Sequence, residues 1–354
     1  MKFKAISLYI VFLFLCSFSS RASFVLLPME AEGQQNHLKA YGITYWALDK
    51  SYKVSWLLNY RGGSFLLPDA PEIRKECQIR GVTFEVLSDA ATNTILEDIS
   101  SPSQNMETVV LEKAPKIAVY TPKGKQPWDD AVTMVLTYAE IPFTEVYDEE
   151  VLSDQLLLYD WLHLHHEDFT GQYGKFFGNY RSTPWYIQQK AEAEALAKKL
   201  GYNKVSEEKL AVAKKIRDFV IGGGFMFAMC SATDSFDIAL AAQGVDICAS
   251  VFDGDQADPR AQEKLNFNQT FAFEDFHLNQ DPLVYEYSDI DASDMRTKGL
   301  ITQKTDQFTL FDFSAKWDVV PTMLTQCHVD VVNEFHMAVC IFMYFCNEKW
   351  PFNR

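Results

Sequence analysis

The chain has 354 residues, of which 48% are hydrophobic and 14% aromatic, and it carries a formal net charge of −16. That length and apolar share argue against a disordered chain and suffice for two domains of ordinary size. The acidity argues against nucleic acid or an anionic lipid surface as a partner, since both would repel it. In chain order, Met1-Lys2-Phe3-Lys4 is a short basic start and Ala5 to Phe18 is apolar. Ser20-Arg21-Ala22 then supplies the small residues of a cleavage site. This pattern predicts a secretory signal peptide over 1–22 and an exported protein, periplasmic or extracellular, with no integral membrane segment after cleavage. Removing residues 1–22, with three basic and no acidic side chains, leaves a chain at −19. Six cysteines remain: Cys77, Cys230, Cys248, Cys327, Cys340 and Cys346. They form no CxxC pair, and their connectivity cannot be read from spacing.

Residues 24–112 read as a small α/β unit. Strands are expected at Phe24 to Pro28, Val54 to Leu58, Ser64 to Leu67 and Val82 to Leu87. Helices are expected at Asn36 to Leu48, Ala70 to Cys77 and Ala91 to Asp98. The polar run Ser100 to Asn105, with Pro102, is a linker candidate. A second unit starts at Pro115 and extends to His336. Its expected strands are Lys116 to Tyr120, Phe143 to Tyr147, a segment around Tyr159 to Leu162, and Phe225 to Met229. Trp128 to Tyr138, Ala191 to Leu200 and Glu207 to Phe219 read as helices, the last with Leu210, Val212, Ile216 and Phe219 on its apolar face. Apolar strands alternating with helices predict a parallel sheet covered on both faces, with chemistry beyond the carboxyl ends of its strands. The polar, aromatic stretch 249–305 reads as an insertion and contains the sequon Asn268-Gln269-Thr270. Phe308 to Phe313 and Val319 to Leu324 are further strand candidates. The tail 337–354 is atypical, with an apolar run too short to span a bilayer.

Two constellations carry chemistry. The first is Gly222-Gly223-Gly224-Phe225-Met226-Phe227-Ala228-Met229-Cys230-Ser231-Ala232. A strand leads into one cysteine and a helix pattern follows at once, with small residues two before and two after. That is the layout of a nucleophile elbow. The helix N-terminus is expected to favour the Cys230 thiolate and to offer N–H groups to an oxyanion. The competing reading is a buried core cysteine. The second constellation is His163-Leu164-His165-His166-Glu167-Asp168, placed after a strand. It could supply an acid or base to Cys230, hold a metal with help from His277, His328 or His336, or form a hydrogen-bonded polar turn. On an extended strand His163 and His165 share a face, with His166 opposite.

The segment Lys116 to Ala242 resembles the class I glutamine amidotransferase-like family. The elbow Ala228-Met229-Cys230-Ser231-Ala232 keeps the spacing of that family's Gly-x-Cys-x-Gly while replacing both glycines. The resemblance implies a flavodoxin-like parallel sheet with helices on both faces, Cys230 as nucleophile and the Ser231 N–H in the oxyanion hole. The family's oxyanion glycines are replaced here by His165-His166-Glu167-Asp168. Its late His-x-Glu pair is absent as such, with His328-Val329-Asp330 and Glu334-Phe335-His336 as stand-ins. Phe24 to Pro28, Asn36 to Trp46 and Val54 to Gly63 also resemble exported bacterial proteins labelled asparagine synthetase B. Glutamine-dependent synthetases of that name use a cysteine directly after the initiator Met and a pyrophosphate-binding loop. This chain has Lys2 there and no such loop.

The expected function is a cysteine-dependent amidohydrolase acting on a small amide or related acyl group. Cys230 would attack, and a histidine of the 163–166 cluster, His165 and His166 foremost, or His328 would serve as base, with Glu167 among the catalytic candidates; no cofactor is expected. A non-catalytic binding protein on the same fold and a metal-dependent hydrolase using 163–168 are the other classes.

Overall fold

The computed structural model describes residues 22–122 and 131–290. The expected signal segment, the strands at 308–313 and 319–324, His328, His336 and the tail 337–354 lie outside these residues. Two compact units are present, one of residues 22–114 with 138–141 and a second that starts at Pro115.

The first unit is built on an antiparallel sheet of Ala22–Leu27 (β1), Val54–Leu58 (β2), Phe65–Pro68 (β3), Glu85–Ser88 (β4) and Glu107–Leu111 (β5). Their order is β4-β1-β3-β2-β5. Alternation along β1 sorts its side chains between two cores. Val25 and Leu27 pack with Ala40, Ile43 and Ala47 of helix His37–Asp49 (α1) and with Ile73 and Cys77 of helix Pro71–Arg80 (α2). Leu26 packs with Leu57, Leu66 and Ile99, the last from helix Asp89–Ser100 (α3). Capping explains the starts of α1 and α3. The Asn36 side chain accepts from the Lys39 N–H at 3.2 Å, and Ser88 Oγ accepts from the Ala91 N–H at 3.3 Å. The linker candidate Ser100 to Asn105 is instead a turn within this unit. The chain returns as β5, paired along its length with β2.

The second unit holds a parallel four-stranded sheet flanked by helices. Phe143–Val146 (β7), Ile117–Tyr120 (β6), Trp161–Leu164 (β8) and Phe225–Ala228 (β9) lie in that order. The connections run through helices Ala131–Ala139 (α4) and Asp148–Leu152 (α5), then Pro184–Lys199 (α6) and Val205–Ile221 (α7). Helix Ser231–Ala241 (α8) follows β9. Register sets Tyr120, Leu164 and Ala228 in one row at the carboxyl ends, above the row Val119, His163 and Phe227. Tyr120, Leu164, Ala118 and Leu162 pack against Val212, Ala213, Ile216 and Phe219 of α7 and Ala232, Phe236 and Leu240 of α8. The buried face of α7 runs Val205, Glu208, Lys209, Val212, Ala213, Ile216, Phe219, the 3–4 spacing of an amphipathic helix. Leu210, expected on that face, falls outside it and is only half-buried. Helix α6 starts seven residues before the expected Ala191, with Pro184 in the first turn, where its missing N–H costs nothing.

Among the described residues, the insertion holds short turns, at Ser250–Asp253, Ala261–Lys264 and Phe267–Gln269. It nevertheless has its own core, in which Phe252, Phe273, Phe276, Tyr287 and Ile290 pack with Ile238 and Ala241 of α8.

Candidate active site

The glycine run earns its place by geometry. Gly223 has φ +99°, which turns the chain from α7 into β9. A Cβ on Gly224 would come within 2.2 Å of the Phe219 ring. The strand then runs four residues, and the Met229 N–H donates to Leu164 O at 3.0 Å, holding the turn to β8. Cys230 follows with φ +51° and ψ −140°. That is a sparsely populated conformation for a residue with a Cβ, and such strain persists only where its surroundings impose it. Ala232, fully buried, allows the chain to fold back at once into α8. The N–H groups of Ala232 and Thr233 donate to Met229 O and Cys230 O. The Ser231 N–H is turned to the Cys230 sulfur.

The thiol itself is not the thiolate expected from the helix N-terminus. Burial pushes its pKa above the ordinary value, the Ser231 N–H and hydroxyl pull it down, and the charges of Asp234 and Glu167 push it up. Desolvation and two acids outweigh one helix end, so the resting group is a neutral thiol.

The loop after β8 is fastened to α8. Ser231 Oγ donates to His166 O at 2.9 Å, and Ser235 Oγ donates to Glu167 O at 3.0 Å. The elbow and the segment 165–169 are thus one assembly. Within it Glu167 is buried and its carboxylate accepts from the His165 N–H at 2.9 Å. The His165 and His166 rings lie edge to face with their Nδ1 atoms 3.1 Å apart, so one Nδ1 donates and the other accepts. His163 is buried in the sheet face and stacks on Phe227, with centroids 5.4 Å apart, and its ring centroid lies 6.4 Å from that of His165. Of the residues expected at the site, the structure therefore joins Cys230, Ser231, His165, His166 and Glu167, and places His163 buried in the sheet face next to His165. His277 is exposed and lies 3.3 Å from Asp289.

Asp168 organises the next turn. Its carboxylate accepts from the Thr170 N–H at 2.7 Å, the Thr170 hydroxyl at 2.6 Å and the Gly174 N–H at 3.0 Å. Tyr173, Gly174 and Lys175 all have positive φ, of 53°, 69° and 56°. Lys175 is buried and its amine donates to Asn279 O and Asp281 O at 2.8 and 2.9 Å. Burial lowers its pKa to about 8. The strained loop thus anchors the insertion beside the elbow.

No protein-family model, no curated protein and no solved structure matches this chain. What the site can do must therefore be argued from its own geometry.

A second polar group at the carboxyl end of the sheet escaped the sequence reading. Lys209 is buried in α7, with its amine 2.8 and 2.7 Å from the Asp148 oxygens. It also donates to Tyr120 and Tyr147 Oη at 3.0 and 3.1 Å. Tyr120, the last residue of β6, donates to Asp148 as well. The signal was present: Glu208 and Lys209 sit in phase with the apolar stripe of α7. Two charges in such a stripe imply a buried pair. Glu208 is buried beside them, and burial together with Asp148 raises its pKa to about 8 despite the charge of Lys209. Folding therefore takes up a proton at Glu208 between its ordinary 4.5 and about 8. Its contribution is complete below the unfolded value and lost as pH rises through the folded one. Denaturant melts at pH 5 and pH 8.5 are expected to show a loss on the order of 3 kcal/mol. Glu208→Gln, which cannot titrate, should flatten that slope; an unchanged slope would assign it to other groups.

Among the described residues, the one set of His, Cys, Asp and Glu with ligand atoms mutually within 4.8 Å is Asp246, Cys248 and Asp253. The Lys204 amine lies 2.5 Å from Asp246 and 3.0 Å from Asp253. A fixed ammonium already supplies the positive charge that a metal would bring. The 163–168 cluster does not gather three ligand atoms in that span.

Proposed function

We propose that the protein is a cysteine-dependent acyl-transfer enzyme, an amidohydrolase of small amides or related acyl compounds, on a class I glutamine amidotransferase-like fold. The observation that carries this reading is the backbone of Cys230, held at φ +51° and ψ −140° between a parallel strand and a helix N-terminus. A core cysteine has no use for that strain, whereas a nucleophile needs it to stand clear of the strand end. The parallel sheet, with the elbow beyond its carboxyl ends, supports the same fold. The neutral resting thiol requires that its proton leave during attack. Glu167, buried and electrostatically coupled to Cys230, is the acceptor we assign; the His165–His166 pair borders it. Sγ then bonds to the carbonyl carbon, the carbonyl π pair moves to oxygen, and the Ser231 N–H receives that oxyanion. Collapse expels the amine, which takes the proton back, and water releases the acid from the thioester. We infer an exported setting from the basic, apolar and small-residue pattern of Met1 to Ala22.

The expected result with p-nitrophenyl acetate is a burst of one p-nitrophenolate per chain, with the acetyl group mapped to Cys230. Cys230→Ser should lose the burst. Cys77 and Cys248, both buried and in no disulfide among the described residues, serve as internal controls. Acetylation spread equally over Cys77, Cys230 and Cys248, or none at Cys230, would sink the enzyme reading. The raised thiol pKa would then favour the second reading, a binding protein that keeps an enzyme's elbow.

A further inference from the structure

A cavity in the second unit shares no residue with the elbow or with the 163–168 loop. Its volume is about 430 Å³, within the range of roughly 300–1,000 Å³ usual for small-molecule sites. It opens where the end of α5, the turn after α6 and the middle of α7 meet. Leu152 lines it from the first, Leu200 and Tyr202 from the second, and Ala211, Lys214, Lys215 and Asp218 from the third. The four α7 positions follow the 3–4 spacing of one helical stripe, to one side of the stripe that packs on the sheet. The polar members of this lining are not equivalent. Lys215 is already paired with Asp154, and Asp218 with Arg217. The half-buried Lys214 amine and the Tyr202 hydroxyl make no hydrogen bond or ion pair among the described residues. Leu152, Leu200 and Ala211 add an aliphatic wall. Two ammonium groups against one carboxylate give the cavity a positive excess, in a chain whose formal charge is −16.

We propose that this cavity binds a small amphipathic carboxylate, its headgroup taken by the Lys214 amine and the Tyr202 hydroxyl and its apolar body laid on Leu152, Leu200 and Ala211. The chemistry of the lining selects that class. Two donors without acceptors, one of them cationic, call for an anionic acceptor. An amine would meet the charge of Lys214, and a neutral apolar molecule would leave both donors unused. A doubly charged headgroup would set its second charge against Asp218, whereas a single carboxylate is matched by a single free ammonium. The aliphatic wall contributes affinity through burial and fixes the orientation, body inward against α5 and head toward Lys214. The site is independent of the acyl-transfer reading and stands whether or not Cys230 is a nucleophile.

The test uses three probes with one chain length and different heads: hexanoate, 1-hexanol and hexylamine. Each is titrated into the full chain at pH 7 while amide and methyl signals are followed by NMR. Hexanoate is expected to move the signals of Leu152, Leu200 and Tyr202 saturably, with a Kd on the order of 1 mM for so small a ligand. It should bind roughly tenfold more tightly than 1-hexanol, and hexylamine should bind least. Lys214→Met keeps the length of the side chain and removes its charge at a half-buried position, so the fold should be unharmed, which a thermal melt checks. In that variant hexanoate should bind no better than 1-hexanol. Lys215→Met, which removes an amine already paired, should change the preference less. Equal binding of hexanoate and 1-hexanol by the wild type would overturn the proposal, as would hexanoate binding that Lys214→Met leaves unchanged. Shifts confined to 165–169 and 230–235 would place the ligand at the elbow and overturn it too, and so would shifts that never saturate.

Discussion

Lys209→Ala is expected to cost about 3–5 kcal/mol, enough to lower the melting temperature of the second unit by roughly 10 °C. The argument starts from solvation. The Lys209 amine and the Asp148 carboxylate are both withdrawn from water, with side chains 7% and 2% exposed. Their mutual attraction, with hydrogen bonds to Tyr120 and Tyr147, offsets the loss of hydration. Removing the amine leaves Asp148 charged, buried and without its counter-ion, and the residual cavity in α7 adds to the penalty. Lys209→Met separates these two terms, because it fills the space while removing the charge. It should recover part of the loss and no more. Adding Asp148→Leu should then restore most of the stability, since an apolar pair needs no hydration. Chemical denaturation of the single and double variants measures the coupling. Additive losses would mean that the pair is not mutually stabilising, contrary to its geometry.

The pair also shows what the sequence could and could not disclose. Apolar runs such as Ile117 to Tyr120, buried on both faces, and Phe225 to Met229, only partly buried, announce themselves by their lack of polar residues. Their parallel pairing follows from the helices between them. The strand Glu107–Leu111 was illegible: it is short, opens with a charged residue and follows a Pro-containing turn, so only its pairing with Val54–Leu58 makes it a strand. The elbow was legible as spacing. Its strain was not, since φ is a property of the folded turn and not of Cys230 itself. The thiol's electrostatics were misread for a related reason. A helix N-terminus is visible in sequence, but the burial of Cys230 and the approach of Glu167 arise from tertiary contacts. The histidine cluster divides similarly: the strand ends at Leu164, so His163 enters the sheet face while His165 and His166 go to the loop.

Besides Lys175 and the apolar contacts of α8, one carboxylate holds the insertion, and it gives the second large effect. Asp237 of α8 is 1% exposed and accepts three backbone N–H groups: Phe271 at 2.8 Å, Ala272 at 2.6 Å and Phe273 at 3.0 Å. Three donors converging on one side chain hold the insertion to the elbow helix more firmly than apolar contact alone. Asp237→Ala removes the carboxylate that accepts from all three N–H groups and is expected to cost about 4 kcal/mol. Asp237→Asn keeps one acceptor oxygen and should lose less. The distinguishing measurement is amide hydrogen exchange. In Asp237→Ala the amides of 271–273 should lose protection while those of β6 and β8 keep theirs, since the sheet core does not depend on the clamp. Exchange that rises equally in sheet and insertion would mean that the two fold as one unit, and that Asp237 is a core residue and not a clamp.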